Sequence, residues 1–252
     1  MIDIIKEYYI DILVGVGYTM LVALIGTIVG LVIGLLIGVY RTIPTPKNKV
    51  LRVFKKIGDI ILSAYVEIFR GTPMMVQAMV IFWGFALLND GRTLDVTVSG
   101  LIIVSINTGA YMAEIVRGGI ISVDNGQFEG AHAIGLNHSK TMFYVVLPQA
   151  LRNILPSISN EFVINIKDTS VLNVIGFTEL FFMAKDIVTQ TYKTFQTYFV
   201  VAIVYFILTF GISTLLRLIE RKMDGGKHFK VMGSQSMDAE SYARQSEVRN
   251  DK

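Results

Sequence analysis

No charged residue occurs between Asp11 and Arg41, a stretch longer than the roughly 20 apolar residues a helix needs to cross a bilayer. Within it glycines recur at every fourth position: Gly26, Gly30, Gly34 and Gly38. On a helix that spacing lays a strip without side chains along one side, where another backbone can approach closely. The chain is therefore predicted to sit in a membrane and to pack its helices tightly there.

Composition narrows the remaining classes. Hydrophobic residues make up 52% of the 252 positions and charged residues 17%, below the share of roughly 25% usual in soluble domains. Five or six spans with short loops would use most of that length. Cysteine is absent, which excludes a disulfide framework and thiolate metal sites. Histidine occurs only at His132, His138 and His228, so no histidine-built metal centre is expected. The net charge of +3 calls for no nucleic acid and fits the lysine and arginine excess of cytoplasmic loops. The first residues lack a basic n-region and a small-residue cleavage site, so the first apolar run reads as a retained span.

Five spans follow from the pattern. The first covers about 9–40. Residues 41–56 then carry Arg41, Lys47, Lys49, Arg52, Lys55 and Lys56 without an acid, which places that loop in the cytoplasm and the N-terminus outside. A second helical region, about 57–88, is interrupted at Gly71-Thr72-Pro73 and followed by a short outer loop at 89–95. The third span, about 96–116, delivers Arg117 to the inside. Residues 118–146 are too polar and too glycine-broken to span and read as a cytoplasmic excursion. The fourth span, about 148–166, is the most polar, with Arg152, Asn153, Asn160, Glu161 and Asn165. Residues 167–194 form an outer re-entrant or interfacial region, and the fifth span runs about 195–216. The boundary of the membrane domain is set at 1–222, and the tail, 223–252, is expected to be cytoplasmic and disordered.

No catalytic constellation of the common kinds is present. A phosphate-cradling loop needs glycine, four residues, then Gly-Lys and Ser or Thr; the nearest approach, Gly130 to Gly135, is followed by Leu136. There is no His-Glu-x-x-His pair and no Gly-x-Ser-x-Gly elbow. The chain is not expected to be an enzyme, and any ATP hydrolysis must come from another subunit.

The excursion reads Glu129-Gly130-Ala131-x-x-x-Gly135, then, nine residues on, Val145-x-Leu147-Pro148. This resembles the cytoplasmic loop signature of ATP-binding cassette (ABC) importer permeases, with Gly130 in place of alanine and Val145 in place of isoleucine. Four further blocks, in order, resemble the branch that takes up polar amino acids of the histidine, glutamine and arginine type. They are Phe69-Arg70-Gly71-Thr72-Pro73, Ala110-Tyr111-x-Ala113-Glu114-Ile115-x-Arg117-Gly118-Gly119-Ile120, Leu147-Pro148-Gln149-Ala150-x-Arg152 and Lys167-Asp168-Thr169-Ser170. The resemblance spans about residues 15–218. It implies an all-α integral membrane fold, the five-helix type I (MetI-like) permease, and translocation of polar amino acids into the cell across the plasma or inner membrane. It also implies the partners: an ATP-binding subunit carrying ATP and magnesium, an extracellular or periplasmic amino-acid-binding protein, and a second permease, identical or similar. The chain itself would hold no cofactor and touch lipid and an amino acid.

The excursion also makes physical sense as a docking element. Asn125 or Gly126 suits an N-cap, Glu129 is expected in the first turn, and Phe128, Ala131 and Ile134 can share an apolar side. Gly135 permits the reversal that ends the helix. The pattern alone equally fits an interfacial helix lying on lipid headgroups. The resemblance implies that Phe128, Glu129, Gly130, Ala131, Gly135, Leu147 and Pro148 couple the permease to the ATP-hydrolysing subunit.

Two further places carry candidate substrate contacts. In Gly71-Thr72-Pro73 glycine suits a helix end, threonine an N-cap and proline the first helical position, so a second helix is predicted to start at Met74. A break inside a membrane leaves free amides and a positive dipole end, suited to a carboxylate; a plain kink is the alternative. Arg70 either snorkels to the interface or pairs with Glu67. Glu161, in a span, is costly unless it is paired or faces a watery cavity. It could accept an ammonium group with Asn160, Asn165 and Gln77 nearby, or pair with Arg152 or Lys167. Glu114 and Arg117, three apart, are predicted to pair. An ion-driven carrier and a membrane enzyme or scaffold are the rival readings.

Overall fold

In a computed structural model described over residues 1–223, the chain is built of helices and turns. The tail expected at 223–252 lies outside the described residues from 224 onward. Two compact units are distinguished, Met1–Arg217 and Leu218–Lys252, and the cores and cavities below all belong to the first.

The long uncharged run forms α1 (Ile2–Thr42), with one departure from helical geometry at Tyr8 (φ −113°, ψ 18°). Its partner is α4 (Val96–Ile121), whose N-terminus is capped by Asp95 accepting from the Val98 amide at 3.0 Å. The glycine strip of α1 is what lets them meet. A Cβ added at Gly30 would stand 2.7 Å from the Thr108 side chain, and one at Gly34 would stand 2.6 Å from the carbonyl carbon of Met112 and 2.7 Å from the Ala113 nitrogen. The seam is backbone against backbone, as the four-residue spacing predicts.

Between them in sequence come α2 (Lys49–Gly71) and α3 (Met74–Leu88), bent by 114° at the Thr72-Pro73 break. The second helical region thus starts at Lys49, eight residues earlier than Ile57. Asn48 caps it by accepting from the Val50 amide at 2.8 Å, and the apolar residues Val50, Leu51, Val53 and Phe54 continue between Lys49, Arg52, Lys55 and Lys56. The basic cluster is therefore largely helical rather than a loop, and an amphipathic helix is its natural form.

After α4 come α5 (Asn125–Ala133), one helical turn, α6 (His138–Thr141), and a π turn (Met142–Val146) leading into α7 (Leu147–Asp168). A 3₁₀ segment (Thr169–Ile175), α8 (Leu180–Thr191) and α9 (Thr194–Met223) complete the described chain. Glu179, fully buried, is a node that sequence reasoning did not single out. It caps α8 by accepting from the Phe181 and Phe182 amides at 2.9 and 2.7 Å, and accepts from the Tyr205 hydroxyl of α9 at 2.8 Å. The next amide, Leu180, donates to Thr19 of α1 at 3.2 Å. A buried carboxylate satisfied by three donors joins α8 to α9 beside α1.

Among the described residues three helices, α1, α4 and α9, are long and apolar enough to cross a membrane, and the bent pair α2–α3 makes a fourth if counted as one span. The fourth span expected at 148–166 corresponds to α7, which is too polar to qualify and contains Pro156. Of its polar residues Asn165 is buried against α1 and α4 and Glu161 is buried beside it, whereas Arg152, Asn153 and Asn160 are exposed.

Candidate functional site

The excursion after α4 is shaped by local capping. Asp124, not Asn125 or Gly126, is the N-cap of α5, accepting from the Gly126 amide at 2.6 Å. Glu129 consequently falls in the second turn rather than the first, and it is exposed. At the other end the Gly135 amide donates to the His132 carbonyl at 2.9 Å and the Leu136 amide to the Ala131 carbonyl at 3.0 Å. With Gly135 at φ +81° this is a complete Schellman cap, and glycine is the residue that enters that region without a steric cost.

The apolar side of α5 is narrower than its sequence suggests. Ala131 is buried and Phe128 packs on a core of Val116, Ile120, Val123, Met142, Val146, Leu147, Ala150 and Ile154. Ile134, expected on the same side, is 78% exposed, because the cap turns the chain there. Gly130 has open space where a Cβ would go, so the backbone there tolerates the alanine of the similar signature. Leu147 is buried and Pro148 sits exposed in the first turn of α7, a position that needs no amide donor. Gln149 of α7 donates to the Val145 carbonyl at 2.8 Å and to the Gln127 side chain of α5 at 3.2 Å. Asn153 donates to the Ser122 hydroxyl at 3.2 Å. The excursion is thus fixed to the ends of α4 and α7.

At the same end of α4 the predicted Glu114–Arg117 pair is present, with Arg117 Nε and Nη2 donating to Glu114 Oε2 at 3.1 and 2.9 Å. Arg41 of α1 donates to the other oxygen, Oε1.

The helix break opens on a cavity of about 570 Å³, lined by Arg70, Gly71, Thr72, Pro73, Met74, Asn107, Tyr111, Glu161, Ile164 and Asp168. Three of the predicted substrate residues, Gly71, Thr72 and Glu161, reach it. Gln77, Asn160 and Asn165 do not line it. Gln77 folds back on the break instead: its Nε2 lies 2.9 Å from the Phe69 and Thr72 carbonyls and 2.8 Å from Thr72 Oγ1, while its Oε1 accepts from Asn107 at 2.8 Å. Asn165 is buried in a knot of three helices, accepting from Thr108 of α4 at 3.1 Å and donating to Thr27 of α1 at 2.8 Å. Asn160 is exposed on another side of α7.

Thr72 does not cap α3. It ends α2, its hydroxyl donating to the Ile68 carbonyl at 2.7 Å, and Pro73 occupies the cap position of α3. Proline offers no side-chain acceptor, so α3 begins without a side-chain cap, and its first amides and positive dipole end stay unneutralised at the cavity edge.

Charges around this cavity are unlike those at the coupling end. Among the described residues the ion pairs are Arg41–Glu114, Lys55–Asp59 and Arg117–Glu114. Glu161 therefore pairs with neither Arg152 nor Lys167, and Arg70 does not pair with Glu67. The Arg70 guanidinium lies 5.6 Å from the centre of the Tyr111 ring, a cation–π distance that holds it over the cavity. Asp168, Asn107 and Tyr111 were visible in the family blocks or in α4, but nothing in linear spacing brings them to the break. An arginine and free amides for a carboxylate, facing Glu161 and Asp168 for an ammonium group, make the cavity chemically suited to a zwitterion.

Comparison with known proteins agrees with this architecture. Residues 30–225 match the family described as binding-protein-dependent transport system inner membrane component. The glutamine transport system permease protein GlnP of Escherichia coli K12 is 36% identical over 167 residues, 66% of this chain and 76% of that one. The L-cystine transport system permease protein TcyB of Bacillus subtilis is 42% identical over 165 residues, 65% and 70% of the two chains. A crystal structure of an amino acid ABC transporter with histidines superposes with a TM-score of 0.74 at 34% identity, covering 86% of this chain and 96% of that one. The MetNI methionine ABC transporter, inward facing, shares the fold at a TM-score of 0.70 and 19% identity, covering 86% and 98%.

Proposed function

This chain belongs to the family of binding-protein-dependent transport system inner membrane components, and on that premise we propose that it is the permease subunit of an ATP-driven importer of polar amino acids. The observation that carries the reading is one continuous path of contacts. A capped helix, α5, is bound through Phe128 and Gln127 to α4 and α7, and those two helices supply Asn107, Tyr111, Glu161 and Asp168 to the cavity. Displacement of α5 by a cytoplasmic ATP-binding subunit therefore changes the cavity walls.

Five spans, counting α2–α3 as one and α7 as another, leave the N-terminus outside and the coupling segment in the cytoplasm. The basic residues Arg217, Arg221 and Lys222 at the end of α9 support that orientation. The substrate carboxylate would meet Arg70 and the start of α3, and its ammonium group Glu161 or Asp168. A binding protein would deliver the amino acid, and a second permease, identical or similar, would complete the pathway. ATP binding would close the cytoplasmic side and hydrolysis would reset it.

The test is uptake of amino acids into vesicles holding the reconstituted assembly, with a panel of polar amino acids. Vanadate-sensitive uptake that requires a co-purifying ATP-binding subunit is the expected result. Uptake driven by an ion gradient, with no nucleotide-consuming companion, would overturn the reading in favour of a secondary carrier.

A further inference from the structure

A second cavity, of about 310 Å³, lies between the ends of α1 and α4 and the coupling segment. Arg41, Arg117, Asn125 and His138 give it a polar wall, and Phe128 and Met142 contribute to an apolar one. The two arginines share one carboxylate. Arg117 spends Nε and Nη2 on Glu114, and Arg41 spends Nη1 on Glu114 and Nη2 on Ser63 at 3.3 Å. A guanidinium carries five N–H donors, so Arg117 Nη1 is uncommitted, and the group of two arginines and one glutamate keeps a positive charge. Among the described residues no carboxylate lines this cavity. Such a cavity suits an anion that accepts several hydrogen bonds.

The apolar wall and the location say which anion. The cavity sits near the ends of α1 and α4, both long and apolar enough to cross a membrane, with Arg41 in the last turn of α1 and Arg117 one turn before the end of α4. Ile121, which also lines it, is 64% exposed and offers an apolar lip. A free inorganic anion has no use for such a wall; a phosphodiester attached to acyl chains uses both sides. We propose that this cavity holds the phosphate headgroup of an anionic phospholipid from the leaflet on the coupling side. The phosphate oxygens meet Arg117 and Arg41, whose planar guanidinium groups suit phosphate geometry. A lipid held there touches both the end of α4 and Phe128 of α5, so it braces the coupling segment against the helix it moves.

The inference rests on the membrane reading of α1 and α4 given above. The test is native mass spectrometry of the assembled transporter, with its ATP-binding subunit, released from nanodiscs containing phosphatidylglycerol and phosphatidylcholine in equal parts. Phosphatidylglycerol should be retained about tenfold over phosphatidylcholine, and retention should fall about fivefold in Arg117→Gln. Because that variant also disturbs the Glu114 pairing, Ile121→Glu, on an exposed site, is the second arm and should lower retention similarly. Equal retention of the two lipids, or retention unchanged in both variants, would overturn the proposal. Displacement of the lipid by millimolar inorganic phosphate would assign the cavity to a free anion, and loss of lipid when the ATP-binding subunit docks would assign it to an acidic group of that partner; either result sinks the lipid. The readout is retention, so a complex that keeps lipid but moves no amino acid counts against the transport reading alone.

Discussion

Glu114 and Glu161 lie on neighbouring helices, yet they have opposite fates. Glu114, at the coupling end, is saturated by two guanidinium groups. Glu161, at the helix break, has no ionic partner among the described residues and opens on a cavity. The coupling end spends its charges on holding α1, α2 and α4 together, with the segment beyond locked by caps. The cavity end leaves charged groups without an ionic partner among the described residues, which is expensive in a membrane. On the proposed function, the difference separates the part that would transmit force from the part that would recognise cargo.

The sharpest way to break this division is at the lever. Proline at Gly135 cannot adopt φ +81° and removes the amide that donates to His132, so the Schellman cap is lost. Glu129→Lys reverses the charge on the exposed side of α5. Both should abolish uptake and uncouple ATP hydrolysis from substrate while membrane insertion persists; normal transport by both would refute the docking role.

A smaller effect is expected at the cavity. Glu161→Gln removes a charge but little volume, and should weaken the apparent affinity for substrate about tenfold, on the order of 1.4 kcal/mol, without loss of assembly. Substrate titration of ATPase activity measures it, and an unchanged midpoint would move the ammonium site elsewhere. Thr72→Val should act differently, because its hydroxyl serves the break rather than the solute. Its cost of about 1 kcal/mol should appear in thermal stability more than in affinity.

Smallest of all, Asp124→Ala deletes the N-cap of α5 and should cost about 1 kcal/mol of local helix stability. Faster amide exchange confined to the first turn of α5 is the expected signature. Equal exchange across α5 in both proteins would mean that packing, not the cap, holds the helix start.

Much of the fold was legible because its causes are local or periodic. The glycines at 26, 30, 34 and 38 do face α4, as their spacing required, and Gly135 does end α5 in a left-handed turn. The errors came where two signals compete over a few residues. Asp124, Asn125 and Gly126 all suit an N-cap, and the extended backbone at Asp124 (φ −56°, ψ 134°) with its bond to Gly126 decided among them. At the break, proline took the cap position that threonine favours by propensity. Thr72 instead ends α2, its hydroxyl donating to the Ile68 carbonyl and accepting from Gln77.

Apolar run length, glycine spacing and the order of short motifs determined without help that this is a tightly packed helical membrane protein of the permease family. These depend on neighbours within one or two helical turns. Which polar residues line the cavity at the helix break was decided only by the fold. Gln77, Asn160 and Asn165 have the right chemistry, but the first braces the break, the second points away and the third ties three helices together. Arg70, Tyr111 and Asp168 come from three distant segments and meet at one cavity. A helix shows each side chain to one direction only, and the crossing of its neighbours settles whether that direction holds protein, lipid or space.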